Sequence, residues 1–391
     1  MIKHLHSLYL HIPYCTTKCT YCAFNTYTNL EGTIPAFVEA LCAELATVAK
    51  SQPYTPVWSV FFGGGTPSLL SVSQFSRIFD TIRASFSVSA DAEITIEANP
   101  NDLDPAYLTG LRALGINRLS LGMQSAVESE LKLFARRHDH EVVQKIWPEI
   151  RRAGFDNVNL DLIYGSPNQT LESWQTTLDA TVNFAPEHIS LYALGLEDGT
   201  PLKEWVDTGR VETPDDDLAA DMYELATDFL SSNGYQQYEI SNWCKPDREC
   251  RHNLQYWRNW PYIGVGPGAH GFAGGFRYAT ILAPQRYIAA INALRPNTAP
   301  LPFPRTPATL DEVEVDLENE IAETLIMSLR LTQEGVHQGE FEERFGQSLS
   351  AVHGGTIEKF TKLGLLELYE NRVRLTRQGR LLSNMVFREL V

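Results

Sequence analysis

The strongest constraint on how this chain folds is a repeat of pattern rather than of sequence. Between Leu8 and about Ala193, short apolar runs alternate with amphipathic stripes at roughly the thirty-residue spacing of a strand–helix–strand unit. The runs Leu8 to Ile12, Val57 to Phe62, Glu93 to Glu97, Arg118 to Leu121, Val158 to Ile163 and His188 to Tyr192 predict strands. Phe37, Leu41, Leu45 and Val48 form one helical stripe, behind Thr33 as a cap and Pro35 as a first-turn proline. Phe75, Ile78, Phe79 and Ile82 form a second; Val142, Val143, Ile146 and Ile150 follow Asp139; Leu171, Trp174 and Leu178 follow Thr170. Strands joined in series through helices lie parallel with right-handed crossovers. The expected fold is therefore α/β, a partial (β/α)6 TIM-like barrel over residues 1–200, with a doubly wound open sheet as the alternative.

The unusual residues favour the barrel, because they fall where barrels gather their chemistry, on the C-terminal ends of strands. A C-x3-C-x2-C run, Cys15, Cys19 and Cys22, follows the first strand, and Gly63-Gly-Gly-Thr-Pro67 the second. Glu97 closes the third, Gly122-Met-Gln124 closes the fourth, and Asp161 lies in the fifth. Three of the six cysteines sit in the first loop. A closed zinc site or an ordinary iron–sulfur cluster takes four protein ligands, so three leave a metal corner open. A zinc site completed by His4, His6 or His11 is the lesser alternative. Gly64 and Gly65 expose backbone groups to a polar cofactor. Glu97 suits ribose hydroxyls or an ammonium group, Gln124 both donates and accepts, and Arg136 can clamp a carboxylate.

Composition narrows the partners. The charge of −16, from 48 acidic against 32 basic residues, argues against a nucleic-acid partner and against more than peripheral contact with anionic lipid. The N-terminus lacks a basic region followed by a long apolar run, and no stretch is read as approaching the roughly 18 apolar residues of a membrane span, so a cytoplasmic location is expected.

Beyond Tyr192 the alternation loosens into a helix from about Pro214 to Ser232, a strand near Tyr238 and a Trp- and Gly-rich stretch to Gly275. This gives an extension over 201–295. Five prolines between Pro296 and Pro307 predict a linker over 296–311. Residues 312–391, with helices followed by a hairpin at Leu365 to Leu375, predict a winged-helix-like α+β domain. Arg372, Arg374, Arg377 and Arg380 cluster there, but seven glutamates offset eight basic residues from Glu340 onward, which gives a nucleic-acid face little support. A lid or ligand-contacting role fits the tail better. Cys42, on the first helical stripe, is expected to be buried and inert.

Taken together, the Y-x-H-I-P-x-C-x3-C-x2-C run from Tyr9 to Cys22, Gly63 to Pro67, Gly122-Met-Gln-Ser125 and Asp161-Leu-Ile-Tyr-Gly165 resemble the radical S-adenosylmethionine superfamily. More narrowly they are similar to the branch of HemN-type coproporphyrinogen III oxidases and HemW-type haem chaperones, over nearly the whole chain. The resemblance implies a [4Fe–4S] cluster on Cys15, Cys19 and Cys22 with S-adenosyl-L-methionine on the open iron. It implies cofactor contacts from Tyr9, Gly64, Gly65, Thr66 and Glu97, and second-cofactor contacts from Gln124, Arg136 and Asp161. A low-potential electron donor such as a flavodoxin or ferredoxin is implied too.

Two features divide the branch. The HemN pattern has a fourth cysteine two places after the third, where this chain has Phe24; His252-Asn-Leu-Gln-Tyr-Trp257 matches the H-N-x-x-Y-W signature of HemW-like proteins. His252 is a candidate axial haem ligand with Cys250 as its competitor, and Tyr256 and Trp257 offer flat apolar surface to a porphyrin. His270, between glycines, could face the cofactor instead. The implied function is a haem chaperone delivering haem cargo to apo-haemoproteins, with radical decarboxylation of coproporphyrinogen III as the rival; whether the chain is an enzyme is left open.

Overall fold

The computed structural model describes residues 5–294, 299 and 301–390; His4 and residues 295–298 and 300, within or beside readings made above, lie outside them. Six parallel strands form the centre: β1 (His6–Ile12), β2 (Pro56–Gly64), β3 (Ser87–Ala98), β4 (Arg118–Gln124), β5 (Val158–Tyr164) and β6 (His188–Ala193). Each pairs in parallel with the next in chain order. A doubly wound sheet reverses its order at a switch point; this one does not, which is the winding of a barrel.

The helices between them are α1 (Ile34–Ser51), α2 (Val72–Ser85), α3 (Pro105–Leu114), α4 (Glu128–Leu133), α5 (His140–Arg152) and α6 (Leu171–Phe184). Residues alternate along each strand, so Leu8, Leu10 and Ile12 join the core under the helices, while Ser7, Tyr9 and His11 are on the opposite, inward face. The predicted caps Asp139 and Thr170 accept bonds from Val142 N–H and Ser173 N–H. Thr33 does not cap α1 with its side chain; its hydroxyl bonds Leu30 O and Tyr14 OH instead. The segment Glu31–Ser51 is long and apolar enough to cross a membrane, which corrects the sequence reading. In this fold its apolar stripe is core, with Phe37, Leu41, Leu45 and Val48 wholly covered.

The sheet continues past both sides of the barrel. After α7 (Pro201–Asp207) and α8 (Asp216–Ser232), β7 (Gln236–Glu239) and β8 (Asn242–Cys244) extend the β6 side. Following α9 (Arg251–Trp257), β9 (Tyr262–Val265) pairs in parallel with β1. Strands β10 (His270–Ala273), β11 (Phe276–Thr280) and β12 (Thr309–Glu314) continue antiparallel, with α10 (Pro284–Asn292) between the last two. The described sheet thus has twelve strands. The predicted linker differs from the structure where it is described: Thr306 and Ala308 are buried, and residues 309–311 begin β12. Thr306 Oγ1 donates to the buried Glu44 carboxylate of α1, which also accepts from Tyr287 OH and Gly266 N–H.

A second, smaller core collects Ile321, Leu325, Phe341, Phe360, Val373 and Leu375 with others of the C-terminal segment. It holds helices Leu317–Leu329, Gln338–Phe345 and Leu349–Lys362 and a three-stranded antiparallel sheet of β13 (Val336–His337), β14 (Leu366–Tyr369) and β15 (Arg372–Leu375). This is the helix-and-wing arrangement the pattern predicts. Its arginines are engaged: Arg374 pairs with Glu367, Arg377 with Asp228 and Glu224, and Arg380 donates to Gln237 Oε1. Arg377 and Arg380 reach back to α8 and β7, so the cluster tethers the wing to the extension.

Candidate functional site

The cysteine loop is held from several sides. Tyr27 N–H donates to Pro13 O at 2.7 Å and Cys15 N–H to Tyr27 O at 3.0 Å, closing the loop on itself. Thr20 ties it to the end of α4, through its N–H to Phe134 O and its hydroxyl to Leu133 O. Beneath it, His11 Nε2 lies 3.0 Å from Asn25 O. A carbonyl only accepts, so Nε2 carries the proton and Nδ1 accepts from Tyr9 OH at 3.1 Å. Burial keeps His11 neutral by pushing its pKa down.

The triple glycine lies directly against this loop. Gly65 N–H bonds Ile12 O and Thr66 N–H bonds Tyr14 O, an approach so close that a Cβ on Gly65 would sit 2.6 Å from Tyr14 O. Gly64 has φ +108°, and a Cβ there would enter the His11 ring. Glycine is therefore required by the contact between loops, beyond any approach of a cofactor. Thr66 Oγ1 then donates to Cys15 Sγ at 3.3 Å.

Across the mouth, β4 breaks its register between Gly122 and Gln124, and Gln124 takes a φ of +67°. A left-handed non-glycine residue at a strand end is strain of the kind that collects at functional sites. Arg136 donates to Gly122 O at 2.9 Å and reaches Cys19 Sγ at 3.6 Å, while its buried Nε–H has no partner. Glu97 accepts from Gly64 N–H; desolvation, and then the Asp161 charge, push its pKa up to about 8. Burial pushes Asp161 up too, against hydrogen bonds from Ser120 and Asn159. A ligand with an ammonium group and hydroxyls would relieve both carboxylates.

These groups line one cavity of ≈ 580 Å³, within the range of about 300–1,000 Å³ usual for small-molecule sites. Cys15, Cys19, Cys22, Gly64, Gly65, Thr66, Glu97, Gln124, Arg136 and Asp161 all face it. Tyr9 does not; it lies one layer down, under Gly63. Residues the sequence reading missed also line it: Tyr21, Ser120, Ile163, Tyr192 and Glu197. Ser120 was findable, two positions before Gly122 on the inward face of β4.

The donor set fits a cluster. The three thiols are free, and burial pushes those of Cys15 and Cys22 up, so they ionise at neutral pH only beside a strong positive centre. Among the described residues no three His, Cys, Asp or Glu side chains gather closely enough for a single ion. Zinc would draw its thiolates to about 2.3 Å from one point, whereas a four-iron centre is itself broad and takes more separated donors. His11 has both ring nitrogens engaged, and His6 starts β1, about 20 Å of strand from the loop.

The second predicted group lies elsewhere. His252, on α9, is buried in the lower barrel, with Nδ1 bonded to Ser59 Oγ at 2.9 Å and Nε2 to Tyr256 OH at 2.9 Å. Its Phe61 neighbour is 5.0 Å away between ring centroids. Cys250 Sγ and the N–H groups of Arg251 and His252 all point at the Glu93 carboxylate. None of Cys250, His252, Tyr256 or Trp257 lines the cavity. His252 and Tyr256 instead meet the lower end of β2, with both ring nitrogens of His252 engaged, while Trp257 packs under Arg330; the haem contact expected of this group therefore falls outside the cavity.

Residues 9–181 match the family model of the Radical SAM superfamily, and residues 315–382 that of the HemN C-terminal domain. The chain is 38% identical to Heme chaperone HemW of Mycobacterium tuberculosis over 98% of its length and 94% of that protein's. It is 36% identical to Heme chaperone HemW of Bacillus subtilis, over 98% of each. A mitochondrial relative, radical S-adenosyl methionine domain-containing protein 1 of Danio rerio, is 33% identical over 94% of this chain and 85% of its own. The structure of coproporphyrinogen III oxidase (HemN) from Escherichia coli superposes with a TM-score of 0.84, covering 99% of this chain and 90% of that one, at 24% identity; this is the same fold. The chain belongs to the radical SAM superfamily and, within it, to the HemW family.

Proposed function

We propose that this protein is a haem chaperone, which binds haem and hands it to apo-haemoproteins. The observation that carries this reading is the near full-length likeness to proteins named Heme chaperone HemW. The cysteine loop supports it, because where a fourth cysteine would stand it presents Phe24, 70% exposed at the mouth. In this reading Cys15, Cys19 and Cys22 hold a [4Fe–4S] cluster and the carboxylates, Gln124 and Arg136 hold S-adenosylmethionine. Bound there, the pair supplies one-electron chemistry fed by a flavodoxin- or ferredoxin-like donor. This chain's own part is to seat the cofactor: Glu97 and Asp161 attract its cationic and hydroxyl groups, and the unpartnered Arg136 N–H attracts a carboxylate. The location is cytoplasmic, with peripheral membrane contact at most.

The test is direct. Protein reconstituted anaerobically with iron and sulfide is expected to retain about one haem per chain through gel filtration. Given coproporphyrinogen III, reductant and S-adenosylmethionine, it is expected to release no protoporphyrinogen IX. Formation of that product would overturn the reading in favour of an oxidase.

A further inference from the structure

We infer that the axial ligand for haem is His270, on the rim of the cysteine loop, and that the porphyrin lies against Phe24 and Leu282. The inference rests on the haem-binding function proposed above and assigns it a site.

It begins with a loop built at a high steric cost. In Gly264-Val-Gly-Pro-Gly-Ala-His-Gly271, a Cβ on Gly264 would stand 1.9 Å from His270 O, and one on Gly266 would stand 2.5 Å from His11 O. On Gly268 it would stand 2.3 Å from Asn25 Nδ2, and on Gly271 2.1 Å from the Tyr278 ring. Each glycine is thus demanded by a separate close contact. Two of the four contacts are with the cysteine strand and its loop. Asn25, the residue after Phe24, donates from Nδ2 to Pro267 O and to Leu282 O, at 3.0 Å each. These bonds fasten the His270 loop, the cysteine loop and the chain entering α10 into one rim.

That framework fixes the His270 backbone but leaves the imidazole unused. His270 is exposed, while the next three residues of β10 are buried. Its side chain makes no hydrogen bond, ion pair or ring contact among the described residues. His252 offers no free ring nitrogen. An accessible imidazole whose ring nitrogens are not already engaged is what haem iron takes.

The surroundings match the rest of a haem. Phe24 is 70% exposed and Leu282 51% exposed, apolar area that a macrocycle would cover. Lys18 on the cysteine loop and Arg286 in the first turn of α10 are both exposed and without an ion-pair partner among the described residues. Lys18 lines the same cavity as Phe24 and Arg286 follows Leu282 by four positions; in a chain of charge −16, two such cations suit the two propionates of haem.

The test compares His270→Ala and His252→Ala in the reconstituted full-length protein, titrated with haemin and read as difference spectra against haem-free protein. His270→Ala is expected to lose the wild-type Soret band and weaken affinity tenfold or more, and free imidazole is expected to restore the band. His252→Ala is expected to keep the band, at a lower melting temperature. Lys18→Ala with Arg286→Ala is expected to weaken binding by about three- to tenfold with the band unchanged. An unaltered band in His270→Ala, a loss that imidazole does not restore, or a loss with His252→Ala instead would overturn this inference while leaving haem binding in place. Wild-type protein that takes up no haem would overturn both.

Discussion

The inside of this barrel is polar from end to end, yet its two halves differ in where that polarity is directed. In the lower half most groups answer one another, Thr95 Oγ1 and the buried Arg118 Nε–H excepted: Glu93 takes the start of α9, His252 joins Ser59 to Tyr256, and His188 joins Asn159 to Tyr238. In the upper half Glu97, Asp161, Gln124 and Arg136 converge on open space beside three free thiols. Buried polar groups are normally paired within the protein. Polarity alone therefore does not mark a site; polarity left for a ligand does. Substitutions should divide accordingly, with upper ones removing binding and lower ones removing stability.

The largest effect is expected at the thiols. Cys15→Ala, Cys19→Ala or Cys22→Ala should lower iron from about four per chain to near zero after reconstitution, because each thiolate holds a separate iron. Full iron content in any of the three would remove that cysteine from the donor set. Next comes the lower half. Glu93→Ala leaves three buried donors unanswered, at about 1 kcal/mol or more each, so a loss on the order of 3 kcal/mol is expected in denaturant melts. The fraction that stays folded should bind S-adenosylmethionine within about twofold of wild type. A large affinity loss there would erase the distinction between the halves.

Glu97 links the two effects through pH. An unfolded glutamate ionises near pH 4.3, whereas Glu97 in the ligand-free fold holds its proton to about 8. Between these values the folded state binds more protons, so stability falls as pH rises from about 4.5 to 8 and is level beyond. The expected loss is on the order of 2 kcal/mol, after discounting for water in the cavity. Glu97→Gln should flatten this slope and weaken cofactor binding by about tenfold. An unchanged slope would mean that Glu97 is already ionised.

Most of the barrel was legible because strand and helix periodicities are imposed by burial. Leu8, Leu10 and Ile12 face one way and Ser7, Tyr9 and His11 the other, so even the inward face of β1 could be read. Strand β12 was not legible, since Thr309-Leu-Asp-Glu-Val-Glu314 is an edge strand exposed along most of its length and joins the sheet by backbone bonds that no side-chain pattern records. The prolines before it suggested a linker, but Thr306 and Ala308 anchor that segment from positions with no periodicity around them. Gly64, Gly65, Glu97, Gln124 and Asp161 were readable from their strand positions, whereas Tyr21, Tyr192 and Glu197 line the cavity with no such signal. At His252 the limit is physical: a sequence displays an imidazole and its aromatic neighbours but not that both nitrogens are hydrogen-bonded within the fold.

The smallest effect is expected at Phe24, where it sharpens the contrast between the halves. An exposed side chain contributes little to the folded state, so Phe24→Ala should change stability by no more than about 0.5 kcal/mol, a shift of a degree or two in melting temperature. The iron content should stay at the wild-type level, because Phe24 supplies no donor. Haem release should nonetheless speed up several-fold, since the ring's apolar area is free in the empty protein and covered only by the porphyrin. Stopped-flow transfer to apomyoglobin measures this rate. A melting shift several times larger would show that the protein itself uses the ring, and Phe24 would then belong with the self-satisfied lower half rather than with the residues kept for a ligand.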